Sequence, residues 1–194
     1  MVETHLCKPK RDDQCISQRY NLAHIAATEA ALQLQGNEQK GGPAIEKYLA
    51  LLRPVLGQRT KTQHLAQPGV GFDWCGAFVY YCCRAAGFTF SPRPSEQLPG
   101  TFAAVFIWRE WAQLPENQFF LSASDIPQPG DLVIFDHLLE NMVCDHIGVV
   151  MAVDVGELTT AEGNVANRGG IFHRRRDQHI NGYIRITRDD AVTG

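Results

Sequence analysis

Nothing in this 194-residue chain reaches the roughly 18 uninterrupted apolar residues of a membrane-crossing helix. The opening stretch, Met1 to Asp13, has no apolar core either, so it is not expected to act as a secretory signal. The expected location is therefore the cytoplasm as synthesised, with cell lysis or a specialised secretion system as routes outward. Charge of one sign is also scarce. The formal net charge is only -3, which gives no electrostatic footprint for nucleic acid or an anionic membrane surface. Cysteine is sparse at six residues, and with Cys82 and Cys83 adjacent and no CxxC pair there is neither a disulfide framework nor a zinc site. Reduced thiols and no metal are expected. No internal repeat or low-complexity tract is present, and nothing in the sequence sets an oligomeric state.

What remains is a globular composition, 44% apolar and 20% charged, with enough chain for one well-filled core. The expected organisation is a polar leader over residues 1–15 and a single domain over 16–190. Helices are predicted over Ile16–Gln35, Pro43–Leu52, Cys75–Ala86 and Thr101–Gln113, and Arg53-Pro54 is expected to stop the second of them. After Pro127 the texture changes to short apolar runs separated by Gly, Asn and Asp: Asp131–Asp136, His146–Val153, Glu157–Glu162, Ile171–Arg176 and Gly182–Thr187. Helices first and strands second, without alternation, predict an α+β domain. Its helices pack on one side of an antiparallel sheet of about five strands.

The chemistry is concentrated at Cys75. It opens a helix whose residues Phe78, Val79, Cys82, Ala85 and Ala86 recur three and four apart, and Gly87 closes it. A thiol in a first helical turn lies beside unpaired N–H groups and the positive end of the helix dipole, both of which favour thiolate. Cys82 and Cys83, further along, read as packing residues. A thiolate nucleophile needs a base held in one tautomer by a third group.

Seven histidines compete for the role of base. His5 lies in the leader, His24 in the first helix and His64 in a polar loop, while His173 and His179 flank a basic strand. His137 follows a strand end. His146 stands apart because it opens the apolar strand Ile147–Val153, where its ring would be held at a sheet edge. A hairpin at Asp154–Gly156 brings the end of the next strand, Ala161-Glu162-Gly163-Asn164, beside it. Glu162 could accept the imidazole N–H, and Asn164 could do so as a neutral amide or polarise a carbonyl. The same residues also suit an ordinary turn. Two other features have ordinary readings: Arg174-Arg175-Arg176 as a solvated strand face, and the aromatic helical stripe with Trp108 and Trp111 as core.

Four segments in this order carry a resemblance: Asp73-Trp74-Cys75-Gly76-Ala77-Phe78-Val79, Pro129-Gly130-Asp131-Leu132-Val133-Ile134-Phe135, Asp145-His146-Ile147-Gly148-Val149-Val150 and Glu162-Gly163-Asn164. Together they resemble a CHAP domain, the cysteine, histidine-dependent amidohydrolase/peptidase group related to NlpC-type enzymes and papain-like in fold. The resemblance spans roughly Ile16 to Thr187. It implies Cys75 as nucleophile, His146 as general base and acid, Glu162 as orienting carboxylate and Asn164 as a fourth polar position. Many members carry Gln close before the cysteine. Asp73 and Trp74 stand there in this chain, which leaves the oxyanion to the Cys75 backbone N–H. Asp73, Trp74 and Trp108 are the candidate substrate contacts. The implied substrate is peptidoglycan stem peptide, cut as an amidase or an endopeptidase, with no cofactor. A same-fold hydrolase acting on another peptide or amide, and a catalytically silent binding module, are the alternatives.

Overall fold

Along the first helix, α1 (Arg11–Ala31), Leu22, Ala26 and Ala30 recur four apart and are fully buried, which fixes the stripe that faces the rest of the chain. These coordinates are a computed structural model, which describes residues 11–58 and 60–188. The expected leader over 1–15 therefore lies outside the described residues as far as residue 10. Its last five positions belong to α1, where Cys15 is buried. The end of α1 also differs from expectation. Gln33 takes a left-handed φ of 49°, and Gln35 is captured by a β-bridge to Arg168, so pairing with the sheet displaces the last turn predicted from periodicity.

Two very short helices follow, α2 (Glu46–Leu49) and α3 (Arg53–Leu56), in place of one continuous helix. Pro54 lies in the first turn of α3, where its missing N–H costs nothing, so Arg53-Pro54 begins a helix where an end was expected. Then come α4 (Cys75–Ala85) and α5 (Val105–Gln113).

Among the described residues there are six strands: β1 (Phe120–Ser122), β2 (Leu132–Phe135), β3 (His146–Asp154), β4 (Glu157–Val165), β5 (Arg168–Arg175) and β6 (Ile180–Ile184). They form one antiparallel sheet in the order β1-β6-β2-β3-β4-β5. The α+β class therefore holds, with six strands in place of about five. The additional strand, β1, has only three residues, too few for an alternation to register, and exists through its pairing with β6.

The two faces of the sheet have different partners. Leu132, Ile134, Ile147, Val149 and Ala161 join the helices in the main core, together with Leu22, Phe78 and Trp108. The alternate residues Val133, Phe135, Val150 and Leu158 gather with Ile180 and Tyr183 in a smaller cluster that contains no helical residue. The helices thus occupy one face, as the order of elements predicts. Among the described residues no helix is long and apolar enough to cross a membrane.

One close approach positions the site. α4 packs on β3 and β4, and a Cβ at Gly163 would lie 2.5 Å from Phe78 Cβ and 2.8 Å from Trp74 Cζ3. Only glycine lets the first turn of α4 seat against β4. Gly163→Ala is expected to destabilise the fold by about 1–3 kcal/mol through overpacking and to lower activity by lifting Cys75 away from the sheet. Chemical denaturation together with a turnover assay checks both effects. An unchanged denaturation midpoint would show that the helix has room to move.

Candidate active site

Cys75 is the first residue of α4, and no side chain caps that helix start at Trp74. The leading N–H groups are therefore left without a side-chain partner from the cap. His146 is the first residue of β3 and opposes Phe135 on β2, while Glu162 on β4 opposes Gly148. His146 and Glu162 are thus diagonal neighbours on one face of the sheet. Room for that diagonal comes from Gly148, because a Cβ there would lie 2.7 Å from Glu162 Cγ.

The three side chains connect in a row. His146 Nε2 is 2.9 Å from Glu162 Oε2, and the Cys75 side chain lies beside the same ring, near enough to act on its charge. With Nε2 taken by the carboxylate, Nδ1 is the nitrogen left for sulfur. Phe135 lies beside the ring, with centroids 6.0 Å apart. Both His146 and Glu162 are buried, at 1% and 0% exposure, with His146 bordering the cleft. Burial is the strongest single influence on His146 and pushes its pKa down. The hydrogen bonds and charges of Cys75 and Glu162 together overcome that and raise it to about 9. For Glu162 burial again acts first, pushing upward, but hydrogen bonds from Arg174 and His146 and their charges hold it at about 2. The arrangement therefore favours a charged imidazolium beside an ionised Glu162.

Arg174 is the residue that sequence reasoning missed. It does not lie on a solvated strand face but turns toward the carboxylate, donating from Nε to Glu162 Oε1 at 2.9 Å and from an Nη to Oε2 at 2.6 Å. Thr160 donates to Oε1 at 2.5 Å. The only signal in the sequence was an arginine on a strand destined to pair with the one carrying Glu162. That register is a tertiary fact.

Asn164 and Asp73 meet each other and not the histidine. Asn164 Nδ2 donates to Asp73 Oδ1 at 2.9 Å, and Asp73 also pairs with Lys40 at the surface. Of Glu162 and Asn164, the imidazole thus bonds Glu162. Asn164 has a left-handed φ of 64°, and its Oδ1 is buried without a partner. Asp73, Cys75, His146 and Asn164 all line one cleft of about 760 Å³.

Trp74 and Trp108 need correction as substrate contacts. Both are fully buried. Trp74 stacks on Tyr48 at 5.7 Å and donates Nε1–H to Asn167 Oδ1, and Trp108 packs 4.1 Å from Phe102 and donates to its carbonyl. Each has its apolar body in the core and its one polar atom satisfied, so neither face is open to a ligand. The other histidines lie elsewhere: His24, His64, His137 and His173 are exposed, and His179 bonds the Asp136 carbonyl. His5 lies outside the described residues.

The sequence model of the CHAP domain matches residues 67–164, half of the chain. The chain belongs to the CHAP domain family. That span begins just before α4 and ends at Asn164, so it contains Cys75, His146 and Glu162 but not Arg174. No curated protein sequence matches this CHAP domain. Among solved structures, Ly7917 in complex with "the hydrolyzing product of MDP" is similar at 17% identity and a TM-score of 0.41, over 89% of this chain and 63% of that one. An N-acetylmuramoyl-L-alanine amidase from Bacteroides uniformis is similar at 12% identity and a TM-score of 0.32, over 84% of this chain and 97% of that one. The chain thus spans less than two thirds of the length of Ly7917.

Proposed function

We propose that this CHAP domain is a cysteine amidohydrolase that cleaves amide bonds in peptidoglycan stem peptides through a thioacyl intermediate. The observation that carries the reading is the row Cys75–His146–Glu162, with the sulfur on the helix start and the imidazole fixed through Nε2. The Cys75 thiolate attacks the amide carbonyl, forming the C–S bond. The oxyanion that develops is stabilised by the Cys75 backbone N–H at the uncapped start of α4. The imidazolium of His146 gives its proton to the leaving amine as the C–N bond breaks. Neutral His146 then takes a proton from water, which attacks the thioester. The C–S bond breaks, and thiolate and imidazolium are restored. Glu162 holds the ring orientation and balances the imidazolium charge at both stages. Asn164 and Asp73, on the cleft wall beside the sulfur, are the polar groups available to hold the substrate backbone.

The peptidoglycan assignment draws on the family and is tested directly. Purified peptidoglycan is digested with the protein, and the soluble fragments are read by mass. A new free L-alanine amine with the stem peptide intact is expected for an amidase, and a cut between amino acids for an endopeptidase. Absence of fragments, with hydrolysis of another peptide or small amide that depends on Cys75, would move the substrate elsewhere. Absence of turnover on every amide tried, with unreactive Cys75, would make the domain a binding module.

A further inference from the structure

The carboxylate of Glu162 is fully buried, and three groups converge on it: His146 from β3, Thr160 from its own strand and Arg174 from β5. Two of these suffice for orientation. The third, Arg174, brings a permanent charge and both N–H directions of its fork, one to each oxygen, at 2.9 and 2.6 Å. Its guanidinium is itself held in place. It lies 4.8 Å from the Phe172 ring centroid and 5.9 Å from that of Phe135, the residue that also flanks His146.

Building on the proposed Cys75–His146–Glu162 mechanism, we propose that Arg174 is a positioning residue of this site, whose fork holds Glu162 ionised and aimed at the His146 ring. The charges then alternate along a buried row: sulfur, imidazolium, carboxylate, guanidinium. Without the last member, the carboxylate would face burial with a single counter-charge, and protonating it would become the easier escape. A protonated Glu162 no longer supports the imidazolium, and the imidazolium no longer supports the thiolate. Arg174 therefore acts on sulfur two residues removed, through the acid side of the pH range. The charged groups that face Glu162 are Arg174 and His146; those that face the ring are Cys75 and Glu162.

The test reads the sulfur without needing a substrate. Alkylation of Cys75 by iodoacetamide is followed across pH by mass spectrometry of the Cys75 peptide, in the full chain. In Arg174→Gln the acid limb of that profile is expected to move up by about one pH unit or more, the size of effect an adjacent opposite charge has on a carboxylate. Arg174→Lys, which keeps the charge and loses the fork, is expected to fall between. A merely structural arginine would lower the melting temperature and leave the limb where it was, and that result overturns the proposal. The double variant Arg174→Gln/Glu162→Gln is expected to match Glu162→Gln alone, because Arg174 has nothing left to act through; additive shifts overturn it. If Arg174→Gln fails to fold, the double variant is expected to fold, since no unpaired carboxylate remains buried, and its failure counts against the proposal. The parent mechanism fails separately. If Cys75 in the unaltered chain alkylates no faster than the other thiols, both ideas fall. If it is fast and slowed by Glu162→Gln but untouched by Arg174→Gln, only the role of Arg174 falls.

Discussion

Cys75→Ser is expected to abolish hydrolysis, by on the order of a thousandfold or more, while the melting temperature stays within a few degrees. The two parts of this expectation have different causes. A serine hydroxyl is far harder to ionise than a thiol, so the thiolate–imidazolium pair of the proposed mechanism would become a neutral hydroxyl beside an imidazole. The nucleophile would then have to be generated in every turnover by a base built to donate a proton. Stability changes little because Cys75 lines the cleft and the smaller hydroxyl fits the same space beside His146. The expected cost is about 1 kcal/mol or less. Other described thiols offer no substitute. Cys82 is fully buried and its thiol is pushed well up by that burial, and burial also raises Cys144. Turnover retained by Cys75→Ser, measured against the same peptidoglycan, would place the nucleophile elsewhere.

The parts of the site that were readable in the sequence share one property: each is announced within a single element or hairpin. Cys75 is marked by the apolar spacing that follows it and by Gly87 closing the helix. His146 is marked by the apolar strand it opens, and Glu162 by the two-strand hairpin that folds it back. Those are local signals, and the structure brings all three together. The parts that were not readable depend on distant pairing. Arg174 joins the site only because β5 lies against β4, with Thr160 opposite Phe172 and Leu158 opposite Arg174. Nothing in Arg174-Arg175-Arg176 distinguishes the inward residue from its exposed neighbour Arg175 until that register exists. The tryptophans fail for the opposite reason. An indole suits a ligand platform and a core equally well, and the decision for Trp74 is made by Tyr48 and Asn167, each far away in the chain. The short β1 and the early end of α1 follow the same pattern, set by β6 and by Arg168.

Glu162→Gln tests the other end of the row and carries a pH signature of its own. The amide is nearly isosteric, yet it removes the counter-charge of the imidazolium and leaves Arg174 without a carboxylate to grip. A rate loss of about a hundredfold to ten-thousandfold is expected, the range seen when a base loses its orienting carboxylate. Asn164→Ala is expected to cost less, because its amide reaches Asp73 and not the ring; a larger loss for Asn164→Ala would reverse the two roles. Stability follows from the shifted titrations. Glu162 is depressed from 4.5 to about 2, so the stabilisation it confers is complete above pH 4.5 and is lost as pH falls toward 2. His146 is raised from 6.5 to about 9, so its share is complete below pH 6.5 and is lost as pH rises through 9. Both contributions are whole only between about pH 4.5 and 6.5. The melting temperatures of the unaltered chain and of Glu162→Gln should therefore differ most in that window. The gap should close toward pH 2, where Glu162 is itself protonated. Toward pH 9 it should narrow only in part, since the ion pair with Arg174 survives loss of the imidazolium charge. A gap that stayed constant from pH 2 to 9 would mean that Glu162 stabilises the fold by packing alone, and the charged row would lose its basis.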